Sequence, residues 1–211
     1  SNDIAEKSLR DLGERVQKKL VIQDLYSPED YSKIRESFRR EILAHKSSRS
    51  IAIGNHVRLL FEDRMTIQYQ IQEMLRVEKI FEEQAIQDEL DTYNPLIPDG
   101  NNWKVTMLIE YPEPEQRQKA LSLLVGIENL VWVKIGDSDK VFAIADEDLD
   151  RSTPDKTSSV HFLRFELPST QAKNLDKSVP ITIGIDHNNY QHQTDICKTT
   201  KASIIEDLDQ I

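Results

Sequence analysis

The stretch FEDRMTIQYQIQEMLRVEKIFEEQAIQDELDTY, residues 61–93, is a long run of good helix formers without glycine or proline. Asp63 can cap its start, because an N-terminal aspartate accepts hydrogen bonds from the free amides of the first turn, and Pro95 prevents its continuation. A period of 3.6 residues gives it one apolar face. That face comprises Ile67, Ile71, Met74, Leu75, Phe81, Ala85 and Tyr93. The sequence therefore predicts one long central helix.

Glu78 projects from the middle of this predicted apolar face. A buried carboxylate without a partner costs several kcal/mol, so Glu78 needs either a positive partner or a raised pKa. We expect a salt bridge to an arginine such as Arg35, Arg39 or Arg164. Glu62, at the end of the preceding predicted strand, is a further candidate for a buried ion pair of this kind.

About six strands are predicted around the helix from alternating apolar residues. They span residues 57–62, 103–111, 130–135, 141–145, 159–167 and 181–185. Further helices are predicted at residues 27–48, 112–126 and 200–208, the first with Ser27 as its N-cap and Pro28 at its first position. A short connection between the third and fourth strands predicts a hairpin, which excludes strict βαβ repetition. The predicted fold class is therefore α+β with a largely antiparallel sheet.

The predicted domain organisation is an N-terminal helical part, residues 3–50, followed by an α+β body, residues 51–211. The two parts are expected to form one cooperative domain. Residues 3–20 carry a narrow apolar stripe. The stripe consists of Ile4, Leu9, Leu12, Val16 and Leu20. Such a stripe is typical of a helical arm that lies on a surface, either of its own domain or of a partner.

Charge is distributed unevenly along the chain. Residues 1–60 contain 12 basic and 9 acidic side chains, whereas residues 61–211 contain 15 basic and 28 acidic ones, within a total net charge of −10. Because an acidic body repels phosphate backbones, nucleic acid is not expected as a partner. Cys197 is the single cysteine, and no apolar run resembles a secretion signal or a membrane span. A cytoplasmic location without a membrane partner is expected.

Familiar catalytic and cofactor motifs are missing from the sequence. It contains no P-loop, no GxGxxG, no CxxC and no GxSxG pattern, and its six glycines leave little material for a phosphate-binding loop. No cofactor is therefore evident, and whether the protein is an enzyme stays open.

Four stretches resemble, in this order, a bacterial family known as domain of unknown function 3501. They are RLLFEDRMTIQYQIQEMLRVEKI at residues 58–80, YNPLIPDG at 93–100, SVHFLRFEL at 159–167 and GIDHNNY at 184–190. Members of that family tend to be encoded beside rubrerythrin-like proteins and iron-sulfur oxidoreductases. The resemblance therefore implies a redox or oxidative-stress context, without assigning an activity.

A metal site is one interpretation of the acidic and histidine residues. Carboxylates near the central helix and side chains delivered by strands supply the hard oxygen and imidazole ligands that suit iron or manganese. The set comprises Glu62, Glu73, Glu78, His161, Asp186 and His187. The Glu-x-x-His spacing of di-iron bundles is absent, so the match is one of composition. Glu73, Glu78 and His187 are the candidate ligands.

A basic ridge on the helix predicted at residues 27–48 is the other candidate site. Arg35 and Arg39 lie on one flank of that helix, and Arg64 begins the central one. These three arginines could bind an anion, although basic side chains on a helix are more often solvated or paired with nearby acids.

Three functions follow from these features. The first is an interaction or accessory component of a redox-linked system, which docks a partner protein or a second copy through its N-terminal helices. The second is a small iron- or manganese-dependent redox protein that uses Glu73, Glu78 and His187. The third is an anion or small-ligand binder that uses Arg35, Arg39 and Arg64.

Overall fold

The structure is a computed structural model that describes residues 18–173 and 175–209. Most of the arm predicted at residues 3–20 lies outside these ranges, and residues 18–20 are not helical. Within the described ranges, no helix combines the length and the apolar content that a bilayer crossing requires.

Six helices and nine strands make up the described residues. The helices are α1 (Pro28–Ser47), α2 (Arg64–Val77), α3 (Glu83–Tyr93), α4 (Pro114–Leu123), α5 (Ser169–Lys173) and α6 (Lys198–Ile205). The strands are β1 (Ser50–Ile53), β2 (Val57–Glu62), β3 (Asn102–Ile109), β4 (Val131–Ile135), β5 (Val141–Phe142), β6 (Ile144–Ala145), β7 (Val160–Glu166), β8 (Ile181–His187) and β9 (Tyr190–Asp195). This content confirms the α+β class.

The strands form two antiparallel sheets rather than the one sheet expected. The first has the order β1-β2-β3-β7-β6 and the second the order β5-β4-β8-β9. The segment predicted as one strand at 141–145 divides at Ala143, because Phe142 pairs with Trp132 in the second sheet whereas Ile144 pairs with Arg164 in the first. The hairpin predicted between β4 and β5 is confirmed.

The main core is built from the alternate side chains that both sheets turn inward. Phe61, Trp103 and Ile183 are fully buried in it, and Phe61 meets the Trp103 ring edge-on with 5.8 Å between ring centroids. The indole Nε1 of Trp103 donates a 2.8 Å hydrogen bond to the carbonyl oxygen of Ile204, which fixes α6 on this core. A smaller core lies among α2, α3 and the chain before α1.

The prediction of one continuous central helix is wrong, because this stretch forms two helices, α2 and α3. Lys79 has a φ of 52°, and the Ile80 amide donates to the Leu75 carbonyl oxygen at 2.9 Å, which together form a Schellman ending. Glu78 is consequently the exposed C-cap of α2 rather than a buried residue, and Phe81 is 66% exposed. The expected burial of Glu78 fails because the chain turns before the apolar face could cover it.

Candidate functional site

Glu73, on α2, forms an ion pair with Arg35 of α1. Its Oε1 and Oε2 accept from Arg35 Nη2 and Nε at 2.8 and 3.0 Å, and Tyr31 donates its hydroxyl to Oε2 at 2.7 Å. The Arg35 guanidinium lowers the pKa of Glu73. Arg35, one of the three arginines expected to pair with Glu78, therefore pairs with Glu73 instead.

The proposed metal ligands Glu73, Glu78 and His187 do not meet. Among the described residues, the acidic and histidine side chains that lie close enough together to hold a metal ion do not include these three. His187, at the end of β8, lies with Nε2 at 2.9 Å from the Val125 carbonyl oxygen and accepts at Nδ1 from the Asn189 amide at 3.0 Å. Its imidazole closes the strand by hydrogen bonding, which leaves no nitrogen for a metal ion.

The three arginines of the expected anion site lie in three different environments. Arg35 is held by Glu73, and Arg64 is buried and forms an ion pair with Asp24 at 3.0 Å. Arg39 is exposed on α1. No common pocket for an anion is formed from these three residues.

Glu62 is buried as expected, but its side-chain partners among the described residues are two hydroxyl groups and no arginine. Thr66 donates its hydroxyl to one oxygen of Glu62, and Thr106 donates to the other at 2.9 Å. Burial raises the pKa of Glu62. Arg164, the arginine named as a candidate for a buried ion pair, is instead paired with Glu147 at 2.8 Å and with Glu166.

A buried arginine that sequence reasoning missed joins the ends of α1, β2 and α6. Arg49 is 1% exposed, donates from Nε to the Phe61 carbonyl oxygen at 2.8 Å and forms an ion pair with Asp207. Asp63 lies 3.6 Å from Arg49 Nε and 2.6 Å from His45 Nε2. We call His45, Arg49, Asp63 and Asp207 the Arg49 cluster; its contacts join segments more than 150 residues apart.

The Arg49 cluster predicts a pH dependence of stability. Burial raises the pKa of Asp207 from its ordinary value of 3.8 to about 7, against the opposing effect of Arg49. Between these values the folded state keeps a proton that the unfolded state has released, so the free energy of unfolding falls as pH rises through the interval. We expect the Asp207→Asn variant to show a flatter profile of melting temperature against pH over the same interval. Equal slopes for both proteins would contradict this assignment.

A second buried polar group lies at the edge of the main core. His161, on β7, is fully buried; its Nδ1 lies 2.6 Å from Asp146 Oδ2, and its Nε2 lies 2.9 Å from both Thr157 Oγ1 and the Ser158 carbonyl oxygen. Glu128 Oε2 is 3.9 Å from the same nitrogen. We call Glu128, Asp146, Thr157, Ser158 and His161 the His161 cluster. The sequence singled out His161 alone, because its companions come from loops without apolar periodicity.

An apolar groove of about 510 Å³ opens on the helical side of the molecule. Its walls come from the chain before α1, from the first turn of α1, from the end of α2 and from the connection to α3. Six of the apolar side chains that line it are Ile22, Leu25, Leu75, Ile80, Phe81 and Ile86. We call this recess the helical-layer groove. It exists because the Schellman ending of α2 turns Ile80 and Phe81 away from the position that a continuous helix would give them.

Comparison with known proteins identifies the family. The chain matches the family described as Protein of unknown function (DUF3501) over residues 19–208. Among solved structures it is similar to a novel protein of unknown function from Burkholderia pseudomallei, with 49% sequence identity, a TM-score of 0.87 and coverage of 91% of this chain and 100% of that chain. No curated protein matches significantly. The chain therefore belongs to DUF3501, the family that its four sequence stretches resemble.

Proposed function

We propose that this protein is an accessory component that binds a basic, amphipathic segment of a partner protein in the helical-layer groove. The observation that carries the proposal is that Phe81, which lines an apolar recess of about 510 Å³, is 66% exposed, as is Val77, at 65%, next in the chain to the lining residue Arg76. Burying apolar surface is favourable by about 25 cal/mol per Å², so a partner that covers these side chains gains free energy.

The shape of the groove supports a helical segment as the occupant. Leu75 in the last turn of α2, Leu25 before α1 and Tyr31 in α1 line the groove. Ile80 and the 66% exposed Phe81 line its open end. Recognition of a helix in a groove requires such an apolar trough, into which the partner inserts side chains spaced three or four residues apart.

The charges beside the groove support a basic segment. Exposed acidic side chains outnumber exposed basic ones on the parts of the chain that adjoin the lining residues. The acids are Glu29, Asp30, Glu78, Glu82 and Glu83, and the bases are Lys33, Arg76 and Lys79. Since opposite charges at the rim of an interface speed association and exclude wrong partners, lysine and arginine are expected on the flanks of the partner's apolar face.

The redox or oxidative-stress system implied by the family resemblance is the setting in which we expect this partner. That part of the proposal rests on the resemblance alone. The groove itself requires no redox chemistry, because it recognises its occupant by shape, apolar surface and charge.

A binding measurement with defined peptides tests the proposal. We expect a fluorescent amphipathic peptide of leucine and lysine to bind the full chain, and its counterpart of leucine and glutamate to bind more weakly. The double variant Val77→Asp with Phe81→Asp should weaken binding of the lysine peptide by about tenfold or more, because the apolar contact at the open end is lost. Fluorescence anisotropy measures both effects.

A matched control separates the groove from general attraction to an acidic protein. Leu123 and Leu149 are each 57% exposed and lie outside the groove, so Leu123→Asp with Leu149→Asp adds the same charge elsewhere. Equal weakening by both double variants would overturn the proposal. Self-association that only the groove variant abolishes, without binding of the lysine peptide, would also overturn it, because the occupant would then be a second copy of this chain.

A further inference from the structure

The His161 cluster is a buried group of ligands that the proposed docking function does not use. We propose that Glu128 and His161 bind a divalent cation of the manganese or iron type, with the Thr157 hydroxyl and the Ser158 carbonyl oxygen as further ligands. Asp146 acts as the positioning residue that holds the imidazole.

The distances within the cluster suit one ion. His161 Nε2 and Glu128 Oε2 are 3.9 Å apart. Two atoms that both bind one ion at about 2.1 Å lie at most about 4.2 Å apart, so a single cation can reach both. Thr157 Oγ1 lies 2.9 Å from Nε2 and 3.2 Å from Oε2, and the Ser158 oxygen lies 2.9 Å from Nε2. Neighbouring ligands of an octahedral ion are about 3 Å apart.

Counting hydrogen-bond donors and acceptors shows that neutral His161 has no donor at Nε2 for the Ser158 carbonyl oxygen. The carboxylate of Asp146 accepts from His161 Nδ1 at 2.6 Å, which leaves a lone pair on Nε2 in the neutral ring. That lone pair faces the Ser158 carbonyl oxygen, which can only accept. The one proton of the Thr157 hydroxyl cannot serve both Nε2 and Glu128. Either a proton on Nε2 or a cation between these atoms removes the repulsion.

The charges of the surrounding side chains favour the cation. Arg151 reaches Asp146 at 3.1 Å, but the contacts of Glu128 within the described residues are the hydroxyls of Ser152 and Thr157 and the imidazole of His161. A buried carboxylate whose partners are two hydroxyls and a neutral imidazole is costly, and a divalent ion offsets that cost.

The second coordination shell of the site is also in place. Asp146 holds His161 in the way that a carboxylate orients a metal-bound imidazole, which fixes the tautomer that presents Nε2. One imidazole among oxygen ligands is a set that suits manganese or ferrous iron.

Metal binding by the full chain tests the inference. After treatment with chelator and purification without a nickel column, we expect Mn²⁺ alone to bind at about one ion per chain by elemental analysis, and its electron paramagnetic resonance spectrum to show coupling to imidazole nitrogen. Glu128→Gln and His161→Gln should each weaken Mn²⁺ binding by about 100-fold or more. His187→Gln is the control, because that buried imidazole bonds to a carbonyl oxygen and should leave binding unchanged.

The competing occupant of the cluster is a proton, and nitrogen NMR of the imidazole distinguishes the two. The signal of His161 Nε2 should shift when Zn²⁺ is added as a diamagnetic probe. A wild-type protein that binds neither Mn²⁺ nor Zn²⁺, or whose His161 Nε2 keeps its proton in their presence, would overturn the inference. This readout uses the unmodified chain, so it decides the question even if Glu128→Gln or His161→Gln does not fold.

Discussion

Replacing Arg49 by methionine is expected to lower the free energy of unfolding by about 3–5 kcal/mol, because it removes the buried guanidinium that binds Asp207 and two backbone carbonyl oxygens. Methionine fills a similar length but has no donor for Asp207 or for the carbonyl oxygens of Phe61 and Ser203, all of which Arg49 now binds. For a chain of this size, such a loss lowers the melting temperature by about 6–20 °C.

Urea unfolding at pH 7 measures this change, and two further variants define its origin. Arg58, which is half exposed and pairs with exposed Glu110, is the control, and Arg58→Met should cost at most about 1 kcal/mol. Arg49→Met combined with Asp207→Leu should recover part of the lost stability, because the buried polar group that Arg49 bound is removed as well. A loss within 1 kcal/mol for Arg49→Met alone would show that the Arg49 cluster does not hold α6.

The Trp103→Ala substitution is expected to cost a similar amount, about 3–5 kcal/mol. Trp103 is fully buried near the start of β3, contacts Phe61 edge-on and donates its indole hydrogen to the carbonyl oxygen of Ile204. Alanine would leave a cavity between the first sheet and α6, and it would leave the Ile204 carbonyl oxygen without its donor.

Far-UV circular dichroism in urea is the suitable measurement, because Trp103 is one of two tryptophans and its removal changes the fluorescence signal itself. Trp103→Phe keeps most of the ring but not the donor, so its smaller loss reports the hydrogen bond to Ile204. Leu123, which is 57% exposed, serves as the control, and Leu123→Ala should change stability by about 0.5 kcal/mol or less. Equal losses for Trp103→Ala and Leu123→Ala would contradict the packing described for this core.

The helices and strands predicted correctly from the sequence are those specified by residues close together in the chain. Ser27 accepts from the Asp30 amide at 3.2 Å and Pro28 begins α1, as the residue types require. The alternation through Trp103, Val105 and Met107 became β3, because a pleated strand sends every second side chain to the same face. Both signals depend on neighbours within a few residues.

Two strands were missed because their sequences carry no such alternation. β9 reads YQHQTD, and only Tyr190 within it is buried, so nothing in its composition distinguishes it from a loop. It becomes a strand because β8 offers it a free edge to pair with, from His187↔Tyr190 to Thr182↔Asp195. β1, which reads SIAI, is too short to show a period and depends in the same way on pairing with β2.

The candidate sites show the same division. Sequence reasoning proposed Glu73, Glu78 and His187 as one group and expected an arginine beside Glu78. In the structure Arg35 pairs with Glu73. The left-handed conformation of Lys79 ends α2, so Glu78 is its exposed C-cap and is not buried beside an arginine. No glycine marks that turn, so the residue type alone gave no warning.

By itself, the sequence determined the α+β class, the capped start of α1, most of the strands and the membership of the family, since each depends on short-range periodicity or on motifs in order. Only the tertiary structure decided which charged groups meet. Arg49 and Asp207 are 158 residues apart, and Asp146 and His161 come from a loop and a strand. Such contacts depend on the path of the whole backbone, because the free energy of a buried charge is set by whichever group the fold places beside it.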